Sequence, residues 1–140
     1  MIKGVDVSEH QGTIDWGKAK GQIDFAVIRS SYGWENYPSQ VDEQLNNNVQ
    51  GCVANGIPFG FYHYSYAANV AEAEKEAEYC ISAIKGTNPV YPVFFDVEDK
   101  AQQGIRKGQL TNICLLYTSH GRRQRFFDER DDVGNARRDF

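Results

Sequence analysis

Four short apolar runs, residues 2–7, 24–31, 57–66 and 90–99, each end in polar or charged residues, and each is followed by a stretch of helical character. Strands that alternate with helices specify an α/β chain with a parallel sheet and right-handed crossovers. In such a sheet the polar strand ends, Asp6, Arg29-Ser30, His63-Tyr64, Asp96 and Glu98, gather on one rim. That rim is where α/β folds keep their chemistry. The fourth run, V-Y-P-V-F-F-D-V-E-D, begins as a buried strand and closes in three carboxylates. Strand alternation puts Asp96 and Glu98 on one face, Cα atoms about 6.5–7 Å apart, with Val97 on the other. The same parity puts Ile2, Gly4 and Asp6 together. Paired acids at the end of a buried strand are costly to place; the alternative is an acidic turn facing water.

The helical stretches carry their own punctuation. Asp15-Trp16 opens a short helix that closes near Gly21. Ser39 and Asp42 have capping-box spacing, with Asp in place of Glu or Gln. Leu45, Val49, Cys52 and Val53 then form one buried stripe, and Gly56 is placed as its C-terminal cap. Asn69 caps the next helix, with Glu72 at the capping-box position. Its buried stripe is Val70, Ala73, Ala77, Cys80 or Ile81, and Ile84. Its wet face is Glu72, Glu74, Lys75, Glu76 and Glu78. Residues 109–115 begin one more striped helix.

Composition narrows the function classes. A chain that is 41% hydrophobic and 13% aromatic is globular. A net charge of −4 leaves no basic footprint for nucleic acid. No apolar run is long enough to cross a membrane, so neither nucleic acid nor membrane is expected as a partner. The first six residues carry no apolar signal segment, so action outside a cell requires release by another route. Three cysteines have no metal spacing and cannot all pair; Cys52 and Cys80 read as buried free thiols. Gly4, Gly33 and Gly60 form no phosphate-binding loop, and no cofactor is expected. Asp96, Glu98 and Asp99 could take a hard cation, but no further ligand spacing supports one, and no metal is expected. His63, among aromatics, reads as a hydrogen-bonded structural histidine rather than a base. His10 follows the first strand and is a candidate rim residue. Trp16, Trp34, Tyr32, Tyr37, Tyr64 and Tyr66 are candidates to stack on sugar rings, although each taken alone is more often packing.

The composition changes near residue 115. Residues 116–140 hold six arginines and no lysine, in clusters with neither strand nor helix period. We expect residues 1–115 to form the β/α unit and residues 116–140 to be a disordered or poorly packed tail. Residues 114–119, C-L-L-Y-T-S, resemble the translated end of a transposon adapter used in sequencing libraries. On that reading the native frame is lost near Cys114.

Five blocks in order carry a family resemblance. They are G-V-D-V-S at residues 4–8, with H-Q-G and then I-D-W at 14–16; F-A-V-I-R-S-S-Y-G at 25–33; G-I-P-F-G-F-Y-H-Y-S at 56–65; and P-V-F-F-D-V-E-D at 92–99. The chain resembles the glycoside hydrolase family 25 lysozymes, the Chalaropsis-type muramidases. The resemblance implies a modified, TIM-like β/α barrel. It implies hydrolysis of the β-1,4 bond between N-acetylmuramic acid and N-acetylglucosamine in bacterial peptidoglycan, with glycan strands as the partner. It maps the family's essential carboxylates onto Asp6, Asp96 and Glu98, and the tyrosine near the substrate's acetamido group onto Tyr62. It also implies action at the cell wall, outside the cell after release, or as a phage lysin.

Glycoside cleavage needs a protonated acid for the leaving oxygen and negative charge near the forming oxocarbenium ion. Like charges raise a carboxyl pKa, so crowding by Asp96 and Asp6 favours Glu98 as general acid. Asp96 would orient the 2-acetamido group or stabilise positive charge, and Asp6 would tune both. His10, Tyr32 and Tyr64 join Tyr62 as candidate substrate-binding residues. A complete barrel runs about 250 residues. This chain supplies about four β/α units, an incomplete barrel whose edges are expected to cause weak folding, aggregation or dimerisation; a complete barrel is expected to be a monomer. The competing reading is a truncated, inactive fragment that at most binds cell-wall glycan.

Overall fold

A computed structural model describes residues 1–36 and 38–102. Four strands, β1 (Gly4–Val7), β2 (Phe25–Tyr32), β3 (Phe59–Tyr64) and β4 (Val93–Asp96), lie side by side in chain order. All three pairings are parallel. The helices α1 (Trp16–Ala19), α2 (Leu45–Asn55) and α3 (Val70–Ala83) fill the crossovers. A doubly wound sheet reverses its strand order at a switch point. This one does not, so it is a singly wound α/β sheet, the arrangement of successive units in a β/α barrel. The strands fall where the apolar runs place them, each trimmed to the residues that find ladder partners.

Register sorts the strand side chains into two faces. Ile28, Phe61 and Val93 form one row, and Ser31, His63 and Phe95 the next. Helices pack on this face, and the core holds Val7, Ile28, Phe61 and Val93 with Trp16, Leu45, Cys52 and Cys80. On the other face, Arg29, Tyr62 and Phe94 form one row, and Tyr32, Tyr64 and Asp96 another. The β2–β3 register steps from Arg29↔Tyr62 to Ser31↔His63, so Ser30 is an extra residue, a bulge. Its hydroxyl donates to the Tyr62 carbonyl at 3.0 Å, which satisfies a polar group where the ladder is interrupted.

The helices agree with the pattern at the start of α3 and the end of α2 and depart from it in three places. Asn69 caps α3, its side chain accepting the Glu72 N–H at 3.0 Å, while the Glu72 carboxylate takes the Ala68 N–H at 2.7 Å. Gly56 closes α2 in the left-handed conformation, φ 66° and ψ 30°, which glycine adopts without a Cβ penalty. The Ser39–Asp42 capping box does not form. α2 starts only at Leu45, after Gln44 with no side-chain cap, because Asp42 is drawn away to Arg29.

Val53 is 66% exposed rather than part of the α2 stripe. Its place belongs to Asn48, whose side-chain oxygen accepts the Trp16 indole N–H at 3.3 Å. A Cβ at Gly51 would overlap that indole, so glycine is what lets α1 lie against α2. Trp16 is therefore core, not a sugar platform. On α3, Ile81 is exposed and Cys80 takes the stripe. Glu76, which the charge pattern assigns to the wet face, is fully buried. The helix 109–115, Cys114 and the tail 116–140 lie outside the described residues.

Candidate active site

A cleft of about 850 Å³ opens at the C-terminal ends of the strands. Each β/α unit contributes to it: Asp6 from β1, Arg29 from β2, Tyr62 and Tyr64 from β3, and Asp96 from β4. His10, on the 3-10 turn Glu9–Gln11, and Glu98, just past β4, complete the rim. Of the seven residues assigned from sequence to catalysis or substrate binding, six, all but Tyr32, thus share one cleft. Tyr32 does not line it directly. Its ring packs edge-on against Tyr66, centroids 6.4 Å apart, and Tyr66 is a wall of the cleft. Strand parity is not what brings Glu98 in, because β4 ends at Asp96. Glu98 is exposed and Asp96 half-buried.

The β1–β2 side of the cleft is built around Arg29, only 7% exposed. Its Nε donates to Asp42 Oδ2 at 2.7 Å, and Nη2 lies 2.9 Å from Glu9 Oε1. Nη1 lies 3.4 Å from His10 Nε2, and the guanidinium stands 5.2 Å from the Tyr32 ring centroid. Burial pulls the guanidinium pKa down, but the hydrogen bond and charge of Asp42 and the charge of Glu9 outweigh it and hold it above its ordinary value. Arg29 appears in the sequence only as a polar strand end. A lone charge inside F-A-V-I-R-S-S was the available signal, since a buried cation demands a partner.

Burial pushes the Tyr62 phenol up to about 12, aided by the charges of Asp6 and Asp42 and opposed by Arg29 and a hydrogen bond with Ser8. Tyr62 is a neutral donor throughout the physiological range. Burial also raises Tyr64, and the charges of Glu98, Asp99 and Asp96 raise it further. The fields of three acids therefore converge on that one phenol. Among the described residues, no group of three or more His, Cys, Asp or Glu side chains is placed to hold a metal ion.

Other candidates face elsewhere. His63 is fully buried on the helix side, Nδ1 2.9 Å from Ser31 Oγ and its ring stacked on Phe95 at 5.6 Å. Trp34 lies outside the cleft beneath Lys75, whose Nζ is 3.9 Å from the ring centroid. Tyr37 lies outside the described residues.

The family model for glycosyl hydrolases family 25 matches residues 5–125. The lysozyme of Streptococcus phage Cp-7 is 32% identical over 117 residues, 81% of this chain and 30% of that protein. The modular autolysin LytC from Streptococcus pneumoniae, solved with a synthetic peptidoglycan ligand, superposes with a TM-score of 0.71 at 29% identity, covering 84% of this chain and 29% of that one. The catalytic domain of endolysin ply40, from bacteriophage P40 of Listeria monocytogenes, gives 0.71 at 30% identity, covering 86% and 57%. The chain thus spans about a third of the length of the curated relatives it matches.

Proposed function

The chain belongs to glycosyl hydrolases family 25, and from that premise we propose that its cleft cleaves the β-1,4 bond between N-acetylmuramic acid and N-acetylglucosamine in peptidoglycan. The observation that carries this reading is the meeting of Asp6, Asp96 and Glu98, from the first and fourth β/α units, in one cleft floored by Tyr62 and Tyr64. Glu98, at the solvent side, donates the proton to the leaving glycosidic oxygen. Asp96, fixed on the strand, orients the 2-acetamido group or faces the positive charge that forms at the sugar. Asp6 adds negative potential from the opposite side. Tyr62, held neutral, offers a hydrogen bond to the acetamido carbonyl. Tyr64 and His10 contact the sugar rings at the rim, and Tyr32 supports them through Tyr66. The setting is the bacterial cell wall, reached after release or as a phage lysin.

The test is a cell-wall suspension treated with the purified chain. Falling turbidity with release of reducing ends is expected, and Glu98→Gln is expected to lower the rate by about 100-fold or more, the scale of a lost general acid. Wall binding with no reducing ends released would replace the hydrolase with a glycan-binding module. Full activity in Glu98→Gln would remove Glu98 from the acid role.

A further inference from the structure

Glu98 stands outside strand β4, so no ladder bond fixes it. The segment that carries it is instead gripped at both ends by one residue, Ser65. The Ser65 N–H donates to the Asp96 carbonyl at 2.9 Å, where the segment leaves the strand. The Ser65 hydroxyl accepts from Gln102 Nε2 at 2.9 Å, where the segment returns in the 3-10 turn Lys100–Gln102. Ser65 and Glu76 are fully buried and Gln102 is 3% exposed.

Hydrogen-bond polarity leaves this arrangement one assignment. The Glu76 carboxylate takes the Tyr66 N–H at 2.8 Å and the Ser65 hydroxyl at 2.6 Å. A hydroxyl has a single proton, so that of Ser65 is committed, and its oxygen can only accept from Gln102 and from the Ala67 N–H at 3.1 Å. Gln102 must then turn its NH2 inward. Its second proton goes to the Ala67 carbonyl at 3.1 Å, and its Oε1 takes the Asp99 N–H at 3.2 Å. The residue next to Glu98 is thereby tied through Gln102 and Ser65 to a buried acid on α3.

We propose that Ser65 and Gln102 are positioning residues that set where Glu98 stands over the cleft, with Glu76 as their anchor. This rests on the reading of Glu98 as general acid. A displacement of about 1 Å at a reacting group can cost on the order of 100-fold in rate, so a clasp of this kind reads out in turnover more than in binding.

The test uses Gln102→Glu in the full chain. The change keeps the shape but sets an oxygen against two acceptors, Ser65 Oγ and the Ala67 carbonyl. On peptidoglycan, kcat is expected to fall by about 10-fold or more with KM within about twofold. Amide hydrogen exchange at residues 97–101 is expected to accelerate while β2 and β3 stay protected. Faster exchange with unchanged kcat would overturn the positioning role, and unchanged exchange would overturn the clasp itself. A wild-type chain that releases no reducing ends would count against the general-acid reading, leaving exchange alone to decide the clasp. Should Gln102→Glu melt the fold, Gln102→Met keeps the length without charge and carries the same measurements.

Discussion

Asp42 and Glu76 are both buried carboxylates, 2% and 0% exposed, each bonded to a residue that lines the cleft, Arg29 and Tyr66, and they are satisfied by different means. Asp42, on the β1–β2 side, is matched by a formal cation, Arg29, and by the N–H groups of Glu9 and Gln44. Glu76, on the β3–β4 side, rests on a hydroxyl and one N–H, with His63 Nε2 standing off at 3.7 Å. One wall of the cleft is thus held by charge pairing, the other by a chain of hydrogen bonds. The energetic difference follows. Removing one partner of a buried ion pair strands a charge, whereas weakening a hydrogen-bond chain leaves polar groups that partly re-pair.

The strongest way to break this contrast is Arg29→Met. It is expected to cost about 3–5 kcal/mol in a denaturant melt, because Asp42 and Glu9 lose their counter-charge. Adding Asp42→Leu is expected to recover only part of that loss, because the N–H groups of Glu9 and Gln44 then lose their acceptor. A cost below about 1 kcal/mol would mean that Arg29 stabilises little beyond its packing. A smaller effect is expected from Glu76→Gln, about 1–3 kcal/mol, since the amide oxygen can still accept from Ser65 or Tyr66. A loss as large as that of Arg29→Met would show that the hydrogen-bond chain tolerates a lost partner no better than the ion pair, making the two walls alike.

The smallest effect is silent at neutral pH. The Tyr62 phenol titrates at about 12, above its ordinary value of about 10. Between those values the unfolded chain has lost the proton and the folded chain has kept it. Stability from this group is therefore full below pH of about 10 and is lost as pH rises toward about 12. Tyr62→Phe is expected to remove that part of the alkaline slope in thermal melts taken across the range. An unchanged slope would show that burial of the phenol is not what holds its proton.

Much of this architecture is legible in one dimension. Strand positions, the Asn69 cap and the Gly56 turn rest on local patterns that tertiary contacts reinforce, while strand order is implied only by the resemblance to a β/α barrel. The rim is legible too, because parallel strands must deliver their ends to the same side. What escapes are the residues whose meaning lies with distant partners. Asp42 reads as a helix cap until Arg29, 13 positions earlier in the chain, claims it. Glu76 reads as surface because helix period alone cannot see the β3 end that satisfies it. Glu98 reads as the next same-face strand residue, yet the strand stops two residues short of it. Gln102 carries no pattern at all, since its value lies in a fixed amide orientation against Ser65 and Ala67.

The extra residue in β2 has a consequence for how the rim tolerates change. In an even strand, positions three apart point opposite ways. Arg29 and Tyr32 are three apart and yet meet, guanidinium over ring at 5.2 Å, because Ser30 shifts the phase of everything after it. Deleting Ser30 would therefore act as a shortening rather than an inversion. Ser31 would follow Arg29 directly and still face His63, and Tyr32, now two places after Arg29, would keep the cleft face; what is lost is the Ser30 hydroxyl on the Tyr62 carbonyl. The constraint on this strand falls on which face each residue takes, not on how many residues there are.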